Sequence, residues 1–234
     1  VAAVTAWSQD GWYAAAQRRP AHAGRIGGSI GPFGVVVHST DCPPESFSTL
    51  VRSWTTTPGS GACAHFLLGR TEADGLVQFV SIRRNANHAG GPSHGVWRRG
   101  GFGDAHANAC SIGIELHLAG GVRLLDGGWR LWEDGRPVGS LIPAAEVRPD
   151  PARAGRGWHL PSAYQLATLG RLLDDLELVL APVPRDAWPT STGEVAPAYA
   201  RNLGPRVTTH ATLDPARRAD PWPPVCEWLR ARQR

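Results

Sequence analysis

The sequence predicts an α/β fold, a mixed central β-sheet flanked by helices, and three of its segments carry that prediction. Val35-Val36-Val37-His38 and Ser111-Ile112-Gly113-Ile114-Glu115-Leu116-His117 are short apolar runs closed by polar residues, the pattern of buried strands. Ser162 opens the third segment, a helix whose apolar face is Leu166, Leu169, Leu172, Leu173, Leu176 and Leu180. Ser162 and Gln165 stand at the spacing of a capping box, which satisfies two otherwise orphaned backbone donors at a helix start.

The remaining elements fall between these. Residues 1–30 read as an N-terminal extension with a short helix from Trp7 to Arg18, followed by a Gly-rich connector from Ala23 to Gly34. Phe47, Leu50, Val51 and Trp54 repeat at helical spacing within Glu45 to Thr55. Ala64 to Leu68 and Leu76 to Ile82 are strand candidates joined through Asp74-Gly75, a hairpin signal. Residues 83–108 read as a long loop rich in Gly, Asn, His and Arg. Residues 119–158 change to Gly, Trp, Arg and Pro, with a hairpin-like stretch from Val122 to Trp132, and are expected to be an insertion after the Glu115 strand. A Pro-rich connector from Ala181 to Pro205 leads to a last strand, Val207-Thr208-Thr209-His210. Pro221 to Arg234 predicts a helix packing Trp222, Val225, Trp228 and Leu229. The expectation is one domain over residues 1–234.

Composition removes several classes of function. A chain of 234 residues buries enough surface to fold without disulfide staples. No apolar run reaches the length of a membrane span, and Val1 to Ala6 is too short and uncharged to read as a signal peptide. The net charge of +4 is spread along the chain and suits a polyanionic or zwitterionic partner such as a cell-wall polymer. Nucleic acid is not expected, because no helix-turn-helix, zinc-finger or stacking-sheet signature accompanies the charge. Cys42, Cys63, Cys110 and Cys226 allow three disulfide pairings, or none if they are buried thiols, and no Cys-x-x-Cys metal pair occurs.

Chemistry concentrates at strand ends. His38 follows Val-Val-Val and His210 follows Val-Thr-Thr, where open α/β sheets place ligand-binding groups. Asp220 comes ten residues after His210, in a loop able to fold back on the same edge. Two imidazoles and a carboxylate fit a catalytic zinc site, in which three protein ligands leave a fourth position for water. Singly, a strand-end His is commonly a structural hydrogen-bonding residue and an Asp before Pro a turn former. Glu115 interrupts an apolar strand, where a carboxylate is costly unless paired or used, and it is placed to act as a general base. Arg218, two residues before Asp220, brings a permanent cation that can steady an oxyanion. Cys42 beside a loop histidine would be an alternative nucleophile pair.

Together these residues become familiar. Val36-Val37-His38-Ser39-Thr40, Ala64-His65-Phe66-Leu67-Leu68, Asn87-His88-Ala89-Gly90, Asn108-x-x-Ser111-Ile112-Gly113-Ile114-Glu115-Leu116, and Thr209-His210 through Arg218-x-Asp220-Pro221 occur in that order. The set resembles the zinc-dependent N-acetylmuramoyl-L-alanine amidases of the type-2 family, over about residues 33–222. That family also holds peptidoglycan recognition proteins and phage amidase-type lysozymes.

The resemblance implies that His38, His210 and Asp220 hold Zn2+ at one edge of the sheet, and that Glu115 is the general base. Arg218 stands where such amidases often have Lys, keeping the charge and changing the reach. His65 and His88 fall in motifs that line the groove or support the sheet. Thr40, His65, His88, Trp97 and Asn108 are the expected substrate-facing positions, Trp97 as an aromatic able to stack on a sugar. Ala64 stands where some phage members have a catalytic Tyr. The implied activity is hydrolysis of the amide between N-acetylmuramic acid and L-alanine of peptidoglycan or a muropeptide, outside the cytoplasm, in the periplasm or after secretion. The alternative is a non-catalytic peptidoglycan-binding protein on the same fold; those usually lack a zinc ligand. Nothing in the resemblance covers the 119–158 segment.

Overall fold

The structure is a computed structural model that describes residues 6–59, 61–90, 95–99, 103–182, 187–191, 198, 203, 206–213 and 220–232. Five strands of the main sheet come first: β1 (Gln17–Arg18), β2 (Gly34–Ser39), β3 (Phe66–Leu68), β4 (Leu76–Gln78) and β5 (Ser111–Leu116). Five more follow directly, β6 (Gly121–Leu125), β7 (Gly128–Glu133), β8 (Arg136–Ile142), β9 (Val147–Pro149) and β10 (Arg156–His159), and β11 (Val207–Thr209) closes the series. The helices that carry the packing are α1 (Phe47–Thr56), α2 (Ala163–Glu177), the single turn α3 (His210–Leu213) and α4 (Trp222–Arg232).

β1, β4, β3, β5, β2 and β11 lie side by side in that order as one mixed sheet. Only the β3–β4 pair is antiparallel; β3, β5, β2 and β11 run parallel. Parallel strands need both faces covered, and the alternation of side chains supplies two apolar faces. Val35, Val37, Phe66, Leu68, Ile112, Ile114 and Leu116 point to one side and pack on Leu169, Leu172, Leu173 and Leu176 of α2, with Val225 and Leu229 of α4. Leu67, Val77 and Phe79 point to the other side and pack on Trp54 of α1. Each fully buried leucine in the first layer contributes about 1.5–3 kcal/mol. The capping box at the start of α2 is formed, Ser162 accepting from the Gln165 N–H and the Gln165 side chain reaching back to the Ser162 N–H.

β6 to β10 form a second, wholly antiparallel sheet in the order β8-β7-β6-β10-β9. Its own small core is Val122, Trp129, Leu131, Ile142 and Val147. Arg70 ties it to the first sheet by donating to Glu146 at 2.6 Å and to the Leu160 carbonyl at 3.0 Å, and Arg148 reaches Glu227 of α4.

Three local expectations are corrected. Trp7 to Arg18 is not a helix; Trp7 bridges Tyr13 and the chain then enters β1, because Trp7 and Tyr13 are drawn into the α2-side core beside Phe66. The stretch read as a long loop at 83–108 contains strands at Arg84–Ala86, Gly95–Arg99 and Gly103–His106 and a helical turn at Ala107–Cys110. Short strands rich in Gly, Asn and Arg have no hydrophobic alternation to announce them. The hairpin read at 122–132 is real but belongs to a five-stranded sheet.

Candidate metal centre

The register of the first sheet builds the site. His38 of β2 pairs directly with Glu115 of β5, so both side chains leave the same face. That face is opposite to the one α2 covers, since Val37 and Ile114, their chain neighbours, point into the α2 core. β11 pairs with β2 from the other side and delivers His210 at its end, as the first residue of α3 and not, as the sequence suggested, as the last residue of the strand. The Ala211 N–H donates to the Asp220 carbonyl at 2.9 Å, which brings the later segment back to the turn.

The ring nitrogens Nδ1 of His38 and His210 face each other at 3.1 Å. Asp220 places one carboxylate oxygen 3.5 Å from His38 Nδ1 and the other 3.5 Å from His210 Nδ1. One donor atom from each of the three lies within 4.8 Å of the others, and all three residues are buried. Burial alone would push the Asp220 carboxyl upward, but hydrogen bonds from His210 and His38 reverse that and hold it below the usual carboxylate range. Two imidazole nitrogens and a carboxylate converging on one point, with no sulfur, match the donor set of an open zinc site.

Behind the three, His88 Nδ1 lies 3.1 Å from His38 Nε2, and His88 Nε2 is directed at the Ser111 carbonyl at 3.4 Å. Burial, then the neighbouring His38 and His65, pushes His88 well below the ordinary histidine range, so the ring is neutral. It fits there because β5 has Gly113 at this level: a Cβ would stand 2.3 Å from His88 Cγ. Asn108 holds the loop of His88, its Oδ1 accepting from the His88 and Ala89 N–H groups and its amide donating to Asn87 and the Gly90 carbonyl. His65 accepts from the Gly113 N–H at 3.0 Å and donates to the Arg84 carbonyl at 2.9 Å, fully enclosed. His65 and Asn108 thus support the sheet and the His88 loop. Thr40 closes the end of β2, its N–H donating to the Leu116 carbonyl and its hydroxyl to the Leu118 carbonyl.

Arg218 lies outside the described residues, as does the Trp97 side chain; the Trp97 backbone sits in the 95–99 strand, paired with Ala105 and Pro189. Cys42 is no activated nucleophile: burial pushes its thiol up, the reverse of what a reactive thiolate needs. None of the four cysteines is in a disulfide. One brace went unread in the sequence. Trp222 Nε1 donates to Asp41 Oδ1 at 2.9 Å, while Ser39 Oγ donates to the same oxygen at 2.8 Å. This links the residues that follow His38 to those that follow Asp220; the Ser39-x-Asp41 pattern at the strand end was its only signal.

A family model described as N-acetylmuramoyl-L-alanine amidase matches residues 30–223. The chain belongs to that family. Among solved structures, a selenomethionine derivative of AmpD is 18% identical with TM-score 0.48, covering 95% of this chain and 96% of its own. AmiD from E. coli, in complex with the substrate anhydro-N-acetylmuramic acid-L-Ala-D-γ-Glu-L-Lys, is 20% identical with TM-score 0.49, covering 88% of this chain and 58% of its own. AmpDh3 from Pseudomonas aeruginosa is 19% identical with TM-score 0.47, covering 84% and 57%. The chain therefore spans little more than half the length of the last two. No curated protein matches it. As expected of an amidase-family α/β fold, the mixed central sheet carries a His-His-Asp group. No helix among the described residues is long and apolar enough to cross a membrane.

Proposed function

We propose that the chain is a zinc-dependent hydrolase of the amide bond between N-acetylmuramic acid and the L-alanine of a peptidoglycan stem peptide. The observation that carries this reading is the convergence of His38, His210 and Asp220 beside Glu115, four groups from two strands, a helical turn and a later segment folded back on it. His38, His210 and Asp220 would hold the zinc. When bound, the ion supplies Lewis acidity, polarising the scissile carbonyl and making water acidic enough to attack at neutral pH. Glu115, on the strand next to His38, takes the proton of the attacking water and passes it to the departing alanine nitrogen. Arg218 is assigned to the negative charge that develops on the carbonyl oxygen.

Incubating the zinc-loaded protein with anhydromuramyl tripeptide and with intact sacculi tests this by mass spectrometry of the products. Release of free stem peptide is expected. Glu115→Gln should lower turnover by about 10²–10⁴-fold while the protein keeps its zinc; full activity in that variant overturns the mechanism. A non-catalytic binding protein would retain sacculi and release nothing. Cleavage of sacculi would place its work at the wall, outside the cytoplasm, as we infer; cleavage of the soluble muropeptide alone would overturn that location.

A further inference from the structure

Where the second sheet meets Asp41 and Trp222 lies a cleft of about 440 Å³, within the range of small-ligand sites. Its inner wall is Asp41 and Trp222, three residues after His38 and two after Asp220, and its outer wall is the second sheet. One face of that sheet is its own apolar core, from Val122, Trp129 and Leu131. The alternate residues of β6, β7 and β10 make the other face, and there the registers set Arg123 directly between Arg130 and Arg156.

Directly opposed like charges destabilise a sheet, and a merely solvated face intersperses both signs. On this face β6, β7 and β10 carry no acidic residue. Arg130 is held by the Gly139 carbonyl, whereas Arg123 and Arg156, with Arg153 from the adjoining turn, front the cleft. Among the described residues none of these three is in an ion pair; Arg123 lies over the Trp132 ring at 4.4 Å. Three acids also line the cleft: Asp41 accepts from Ser39 and Trp222, Asp150 accepts from the Ala152 N–H, and Glu133, which shares with Leu131 the face of β7 opposite the arginines, is registered against Arg136 of β8. Trp132 and Trp158 are part-buried beside the arginines, the Trp158 ring under Arg148 at 5.1 Å.

We infer that this cleft is a carboxylate-reading subsite that binds the stem-peptide side of the substrate. The inference rests on the amidase reading for its ligand. In such a substrate the lactyl carboxyl is consumed in the scissile amide, so the remaining carboxylates belong to the peptide, the first being the free α-carboxylate of a γ-linked glutamate. Guanidinium forks fit carboxylates in two-point contact, and the indole faces suit the alkyl stem of the residue that follows.

The peptide L-Ala-D-γ-Glu-L-Lys and its isoglutamine counterpart, neutral at that carboxylate, are the probes, with binding to the zinc-loaded protein read by calorimetry. The wild-type protein should bind the acid at least tenfold tighter than the amide. Arg123→Gln/Arg156→Gln should bind both alike, at the affinity of the amide, with a melting temperature equal to or above wild type because the opposed charges are gone. Equal binding of acid and amide by the wild type, or discrimination kept by the double variant, overturns the subsite. Charge-dependent peptide binding without hydrolysis of anhydromuramyl tripeptide would overturn the amidase reading and leave the subsite standing.

Discussion

His88 Nδ1 stands 3.1 Å from His38 Nε2, on the side of the His38 ring that faces away from His210 and Asp220. When the site holds zinc, this contact sets which nitrogen of His38 carries the proton: Nε2–H would donate to the neutral His88, leaving the Nδ1 lone pair for the ion. Outer partners of this kind typically account for about 10–100-fold in metal affinity. His88→Ala is therefore expected to weaken zinc binding by about that factor, measured by competition with a chromogenic chelator. His88→Gln, which can still accept from His38, should recover part of the loss. Unchanged affinity in His88→Ala would remove His88 from the metal centre.

Gly113 makes that contact geometrically available. An added Cβ would meet His88 Cγ at 2.3 Å, so Gly113→Ala must displace a buried ring or part β5 from it. The expected cost is about 1–3 kcal/mol of stability, as for overpacking elsewhere, together with a loss of zinc affinity like that of His88→Ala. Denaturant unfolding of the zinc-free variant separates the two effects. Lost stability with intact zinc affinity would show that His88 moves without steering His38.

How far the sequence announced this site depends on which residue is asked about. His38 and Glu115 were legible because each breaks an apolar strand, and strand alternation plus register then puts them on one face. His210 was legible as a strand-end histidine and Asp220 as a loop carboxylate ten residues on, and the family motifs joined them, although the strand read through His210 ends one residue earlier in a helical turn. The contact of His88 with His38 joins residues 50 apart, and no local pattern encodes it. The brace from Trp222 to Asp41 spans 181 residues, and only its Ser39–Asp41 half lies within a local pattern. In the second sheet the Arg and Trp composition was plain, but the registers that align Arg130, Arg123 and Arg156 were not.

Acid should loosen the fold through histidines away from the metal. Burial pushes His65, His117 and His159 down to about 4, whereas in the unfolded chain each titrates near its model value of 6.5. Between those values the unfolded state binds the proton and the native state does not. Stability from these groups is thus fully present above about pH 6.5 and is lost as pH falls toward 4. For the fully enclosed His65 the loss is about 3 kcal/mol across that window. Urea midpoints at several pH values should fall accordingly. His65→Gln, which can still accept from Gly113 and donate to Arg84, should give a shallower slope than wild type; identical slopes would assign the acid sensitivity elsewhere.

The brace between Asp41 and Trp222 closes over Gly120, whose φ is +65°. A Cβ there would lie 1.9 Å from Asp41 Oδ1 and 2.4 Å from Trp222 Nε1, so Gly120→Ala would wedge the hydrogen bond apart as well as strain the backbone. Gly127→Ala isolates the second effect: its φ is +97° and an added Cβ meets nothing within 4 Å. The control should lose about 1 kcal/mol from left-handed strain alone. Gly120→Ala should lose about 2–4 kcal/mol, because a part-buried hydrogen-bonded contact is wedged apart too. It should also weaken zinc binding, since Trp222 follows Asp220 by two residues and sets where that carboxylate can lie. If zinc affinity in Gly120→Ala matches that of Gly127→Ala, Asp220 is positioned by its backbone bond to Ala211, and the brace serves only to seat α4.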